Sequence, residues 1–120
     1  MRYSESHEWI SINGKIGIVG ITDYAQKELG EIVYIELPKV GQKIKAGGEV
    51  CVLESTKAAA DIYSPVSGTI VAVNEALRKA PSCLNQAAET TGWLLRIELS
   101  NPTELDHLMS REQYLSQVGG

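Results

Sequence analysis

The stretch "CVLESTKAAADIYSPVSG", residues 51–68, sets a single lysine, Lys57, between two runs that read as strands. "VCVLES" leads up to it, "AADIY" descends from it, and "SPVSG" turns the chain into "GTIVAV". Short β-branched and apolar runs bounded by Gly, Pro and Ser are the signature of strands and hairpins. The small side chains of Ala58, Ala59 and Ala60 leave the approach to the tip uncrowded, so a second enzyme could recognise a stiff turn by its shape. Glu54 and Asp61 add acidic groups near the tip, Pro65 fixes the chain direction, and Gly68 permits a sharp turn where the second strand pair begins. On these residues alone two readings stand: a lysine presented for modification, and a solvated hairpin lysine. Lys27, Lys39, Lys43 and Lys45 have no comparable setting and read as solvated.

Outward from the hairpin the pattern is mostly strand. "HEWISI" alternates toward Asn13-Gly14, a compact turn signal, and "KIGIVGI" follows it as the second arm of a hairpin. Thr22 or Asp23 caps a helix over 23–29, and Gly30 ends it in the left-handed conformation. "EIVYIEL" is a β-branched strand closed by Pro38, and "VGQKIKAGGEV" holds a short strand between glycines. Residues 75–91 lack a strand period, with a helical turn at "NEALRK". "GWLLRIEL" is the last strand. The segment 102–118 is helical in composition, with Thr103 as its cap after Pro102 and a Leu105, Leu108, Met109 stripe to lay on the strands. Glycines beside short β-branched runs on both sides of the Lys57 hairpin suggest a sandwich built from two similar halves.

A chain of 120 residues suits one domain, here a β sandwich over 1–100 followed by the tail at 102–118. Eleven Lys and Arg against 15 Asp and Glu give a net charge of −4, which argues against a nucleic-acid surface. No apolar run approaches the roughly 20 residues that span a bilayer, and "MRYSESHEWI" lacks the layout of a signal peptide. A cytoplasmic monomer is expected, or a matrix protein if an organelle presequence was removed. Cys51 and Cys83 show neither a disulfide framework nor metal-ligand spacing, and Cys51 reads as a small core residue. No Ser-His-Asp, paired-carboxylate or phosphate-loop arrangement stands out, so no catalytic residue is assigned.

"SHEWI", "VGITDYAQKELGEIVYIELPKVG", "ESTKAAADIYSPVSG", "VNEAL" and "GWLLRIEL", in that order and with the tail "PTELDHLMSREQY", resemble the H proteins of the glycine cleavage system. The resemblance covers essentially the whole chain. It implies a mainly β, lipoyl-domain-like barrel-sandwich hybrid, with lipoic acid amide-linked to Lys57. Biotin carriers share that architecture, but their lysine lies between methionines, whereas Thr56 and Ala58 flank it here. The resemblance further implies a non-catalytic carrier that shuttles the aminomethyl group of glycine. Its partners would be the pyridoxal-phosphate glycine decarboxylase (P protein), the tetrahydrofolate-dependent aminomethyltransferase (T protein), dihydrolipoyl dehydrogenase (L protein) and a lipoyl ligase or transferase. The hard chemistry would belong to the cofactor and those partners.

By the matching "SHEW" and "KAAAD" motifs, the resemblance assigns Ser6, Glu8 and Asp61 to a cleft that shelters the loaded arm from water. Oxygen-bearing side chains suit an ammonium group. The plainer alternative is a strand-start hydroxyl at Ser6 and solvated carboxylates at Glu8 and Asp61. His7 and Trp9 read as packing residues, and His107 as a surface residue of the tail. The chain departs from the family pattern in "APSCLNQAAETTGW", where Ala88-Glu89 replaces a usual proline-tyrosine pair, and at Thr56, where an apolar β-branched residue is usual. That altered loop keeps open a second role as a lipoate carrier or donor in lipoyl relay, redox or sulfur metabolism. A purely structural domain would be expected to have lost or moved its acceptor lysine, and Lys57 is present.

Overall fold

The computed structural model describes residues 1–119 and consists of two antiparallel sheets with short helices. The strands are β1 (Arg2–Tyr3), β2 (Glu8–Asn13), β3 (Ile16–Ile21), β4 (Ile32–Glu36), β5 (Lys43–Ile44), β6 (Glu49–Ser55), β7 (Ala59–Tyr63), β8 (Gly68–Val73) and β9 (Leu95–Leu99). A six-stranded sheet runs β1-β2-β3-β9-β8-β5, and a three-stranded sheet runs β4-β6-β7. Without the N-terminal strands β1–β3, three strands remain in each sheet, so the two-halved sandwich expected around the hairpin is the nucleus and β1–β3 extend one side. The sheets face each other but do not close into a continuous barrel.

Alternation decides which face each strand buries. Ile10, Val19, Ile21, Ile35, Leu53, Ile62, Ile70, Leu95 and Ile97 point inward and form one continuous core. Cys51 belongs to this core, and burial pushes its thiol up to about 12. A smaller cluster of Tyr3, Trp9 and Tyr114 lies under the tail.

Four short α-helices decorate the sheets: α1 (Asp23–Leu29), α2 (Ala76–Lys79), α3 (Cys83–Ala87) and α4 (Arg111–Gln117). The Thr22 hydroxyl accepts from Ala25 N–H and caps α1. Gly30 ends α1 with φ +84° and ψ −159°. That is a glycine-only region but an extended one, not the left-handed helical cap expected from the sequence. The tail also differs from the single helix expected. A 3-10 helix at Pro102–His107 ends in an extended break at Leu108, and α4 begins only after Ser110. Thr103 caps nothing; its hydroxyl lies 2.5 Å from Asn101 Oδ1. Ser110 makes the true cap, in a reciprocal capping box with Gln113.

The break serves the packing. Tyr3 and Met109 exchange backbone hydrogen bonds of 2.8 Å in each direction, stitching the tail to β1. Leu105 and Leu108 pack on the main core, while Met109 joins the aromatic cluster. Gly68 stands where β8 meets β9, and a Cβ there would lie 2.1 Å from the Glu98 carbonyl oxygen. Its glycine therefore answers a close backbone approach, not the sharp turn expected from the sequence.

Candidate functional site

Lys57 sits at the apex of the β6–β7 hairpin, exposed, between Ser55 and Ala58. The turn is tightly held. Ser55 N–H donates to the Ala58 carbonyl at 2.8 Å, and the Ser55 hydroxyl donates to the same carbonyl at 3.1 Å. The Ser55 oxygen in turn accepts from Lys57 N–H and Ala58 N–H, each at 3.1 Å. One side chain thus satisfies both donors at the tip, the local turn chemistry to which serine is suited. Glu54, exposed beside Tyr34 and Ala59 in the strand register, and the small Ala58 complete the surroundings.

A second tie comes from across the molecule: Thr56 N–H donates to the Glu31 carbonyl at 3.0 Å. The residue before that carbonyl is Gly30, and the Lys57 side chain lies over it. A Cβ on Gly30 would stand 3.2 Å from Lys57 Cε and 3.6 Å from Nζ. The 30–32 segment is fastened from its other side by Asn85 on α3. Asn85 Nδ2 donates to the Gly30 carbonyl at 2.8 Å and to Gln26 Oε1 at 3.0 Å, and Oδ1 accepts from Ile32 N–H at 2.9 Å.

Ser6 and Glu8 are brought together. Glu8 is 1% exposed, which removes the solvated-carboxylate reading for that residue. Its Oε1 accepts from Ser4 Oγ at 2.5 Å and from Ser6 Oγ at 2.6 Å. Its Oε2 is buried without a hydrogen-bond partner among the described residues. Such an orphaned oxygen calls for an explanation, because an unpaired buried polar atom costs roughly 1–3 kcal/mol. Ser6 itself is exposed, on the wall of a recess of about 450 Å³ bounded also by Ser4, His107 and Met109. Asp61 stands elsewhere. It is exposed on β7, opposite Val52 in the register, and makes no hydrogen bond to Ser6 or Glu8. His107 is exposed, as expected.

His7, read from the sequence as packing, does more. Its backbone has φ 72°, a rarely occupied region for a non-glycine residue. That conformation is held by His7 N–H to the Ser4 carbonyl at 3.2 Å and by Thr22 N–H to the His7 carbonyl at 3.0 Å. The ring Nδ1 lies 2.8 Å from Tyr114 OH, which lies 2.6 Å from Thr22 Oγ1. The tail helix α4, the Ser6–Glu8 turn and the cap of α1 therefore share one polar junction. Sequence reasoning gave no role to Ser55, Glu31, Asn85 or Tyr114. Only Ser55, a serine opening a turn, carried a local signal.

The loop after α3 is anchored at two points. The Ala88 carbonyl accepts from Trp9 Nε1 at 3.0 Å, and Glu89 Oε2 accepts from Asp23 N–H at 2.8 Å, at the N-terminus of α1. Glutamate there satisfies a donor the helix leaves open.

Comparison with known proteins agrees with this arrangement. The family model described as glycine cleavage H-protein matches residues 1–119. A glycine cleavage system H protein of Carboxydothermus hydrogenoformans is 53% identical over 114 residues, covering 95% of this chain and 88% of the relative. One from Rhodospirillum rubrum is 49% identical over 118 residues, covering 98% and 94%. A crystal structure of a glycine cleavage system H protein from Mycobacterium marinum superposes with a TM-score of 0.90 at 34% identity, covering 98% of this chain and 95% of that one. With the lysine apex, the two sheets and the tail all in place, the chain belongs to the glycine cleavage H-protein family, the lipoyl carriers of glycine breakdown.

Proposed function

We propose that Lys57 is the residue to which lipoic acid is amide-linked, and that the chain acts as a non-catalytic carrier. The observation that carries this reading is the pinned apex: an exposed primary amine on a turn held from within by Ser55 and from without by the Glu31 carbonyl. The apex fits the group. Among the described residues no carboxylate lies within ion-pair distance of the Lys57 ammonium, so acylation, which removes that charge, breaks no ion pair. A turn already ordered spares a lipoyl ligase or transferase the entropic cost of ordering it on binding. When bound, lipoic acid supplies a disulfide that takes up the aminomethyl group of glycine as it is reduced.

This chain's residues then hold and shelter. Helix α1 runs from Thr22, beside the His7–Glu8 turn, to Gly30, beneath Lys57, a span of about 12 Å. An arm rooted at Lys57 and lying along α1 would bring an ammonium group toward Glu8, whose free Oε2 could accept from it, with Ser6 alongside. Asp61, on the strand that descends from the apex, is the third oxygen-bearing contact in this reading. The partners in the proposal are glycine decarboxylase, aminomethyltransferase, dihydrolipoyl dehydrogenase and the lipoylating enzyme, met in the cytoplasm by a monomer. No helix among the described residues is long and apolar enough to cross a membrane.

The test is intact-mass measurement after incubation with lipoyl ligase, lipoate and ATP. One lipoyl addition is expected, and none in Lys57→Arg; an adduct that survives in that variant overturns the site. Reconstitution with glycine decarboxylase, followed by exchange of labelled bicarbonate into glycine, tests the pathway. A lipoylated chain that supports no exchange would point to lipoate donation instead.

A further inference from the structure

We infer that Asn85 is a positioning residue for the modification of Lys57, acting through residues 30–32; this rests on the reading of Lys57 as the acceptor. Its side chain spends every polar atom on that purpose. Nδ2 holds the Gly30 carbonyl at 2.8 Å and Oδ1 holds Ile32 N–H at 2.9 Å, the groups on either side of Glu31. The second Nδ2 donation, to Gln26 Oε1 at 3.0 Å, ties the same amide to the body of α1. Gln26 is itself buried and oriented by donation from its Nε2 to Asp23 Oδ1 at 2.9 Å.

The clasp has two outputs at the apex. The Glu31 carbonyl, fixed between the two clamped groups, accepts from Thr56 N–H at 3.0 Å. Gly30, fixed by its own carbonyl, forms the surface on which the Lys57 side chain rests, 3.2 Å from where a Cβ would stand. Ile32 is already anchored in the core and in β4, so the amide's restraint falls on Gly30, whose backbone has the widest conformational range of any residue, and on the exposed Glu31. Asn85 lies on α3, just ahead of the loop that carries Glu89. Glu89 in that loop holds the opposite end of α1 through Asp23 N–H. The segment 85–89 therefore grips α1 at both ends and sets where the acceptor lysine is presented.

The experiment compares the full chain with Asn85→Ala and with Ile97→Val, a core change in β9, whose strand neighbours are β3 and β8, chosen to lower the melting temperature while leaving the Asn85 hydrogen bonds in place. Lipoyl ligase kinetics should show the KM for Asn85→Ala raised about tenfold, with kcat within about twofold, because an unpinned tip must be ordered at the expense of binding energy. Amide exchange at Thr56 should quicken in Asn85→Ala while exchange in β8 and β9 stays unchanged. Ile97→Val should leave both readouts at their wild-type values. Unchanged KM and unchanged Thr56 exchange in Asn85→Ala overturn the inference, as does an equal rise in KM for Ile97→Val. If the wild-type chain takes no lipoyl group at all, the acceptor reading fails, and Thr56 exchange alone decides whether Asn85 positions the tip.

Discussion

Gly30 lies directly beneath the Lys57 side chain, close enough that a Cβ would press on Cε at 3.2 Å. Its φ of +84° and ψ of −159° also place it where other residues are strained by about 1–3 kcal/mol. Gly30→Ala is therefore expected to lower stability by about that amount and to displace the lysine. Denaturant midpoints and lipoylation rates check both effects; a variant that folds and is modified like wild type would show that the platform is idle.

Ser55 supplies the tip with its internal hydrogen bonds. Ser55→Ala leaves Lys57 N–H and Ala58 N–H without their acceptor. Both donors are exposed and water replaces the lost partner, so the stability loss should stay near 1 kcal/mol. Mobility should rise more than stability falls. Backbone order parameters at residues 56–58 are expected to drop, and a tip as rigid as wild type would refute the pinning role of the hydroxyl.

The architecture was legible where burial imposes a period. The alternation in "HEWISI" and "GTIVAV" and the Thr22 cap state their own structure, and those elements stand where the pattern places them. Strand β1 is two residues long and holds its place by pairing with Trp9, Ile10 and Met109, so no local period reveals it. Helix α3 has no side-chain cap and one buried leucine, too little for a recognisable stripe. Lys57, the proposed acceptor, was singled out by its small neighbours and the family motif. Its supports did not, because the Glu31 carbonyl is backbone, and Asn85 acts across 53 to 55 residues of sequence.

Alkaline pH should weaken the fold through three groups. Cys51 is raised from 9.0 to about 12 by burial, and burial is also the leading cause that raises Tyr3 and Tyr114. Each raised acid keeps its proton longer in the folded state than in the unfolded chain. Its contribution is complete below the unfolded value and is lost as pH rises toward the folded one. For Cys51 the window is pH 9 to about 12, with a slope of at most about 1.4 kcal/mol per pH unit. Urea midpoints should fall across that range, and less steeply in Cys51→Ala; identical slopes would mean the thiol does not contribute.

Tyr114 closes the junction between the tail and the site. Tyr114→Phe keeps the stacked ring against Tyr3, at 4.7 Å between centroids, and removes only the hydroxyl shared by His7 and Thr22. The loss should be about 1–2 kcal/mol, since Thr22 Oγ1 is buried there. Proteolysis of α4 should accelerate in step. Unchanged stability would mean that aromatic packing alone holds the tail.

Glu8 separates shelter from stability. Its Oε1 is satisfied by Ser4 and Ser6, while Oε2 has no partner. Glu8→Gln retains an acceptor for both serines and exchanges the orphaned oxygen for an amide nitrogen, so the unfolding free energy from denaturant titration should change by less than about 1 kcal/mol. An amide cannot offer the ammonium of the cargo a negative charge, and its –NH₂ group would face that cation with like polarity. The aminomethyl-loaded carrier is therefore expected to release formaldehyde and ammonia several-fold faster in Glu8→Gln than in wild type, with lipoylation of Lys57 unaffected. Release measured on the isolated, loaded carrier decides the matter, because no partner enzyme is then present to take the cargo. Equal release rates would show that the buried carboxylate does not receive the ammonium, and the orphaned oxygen would then be a feature of the Ser4–Glu8 turn alone.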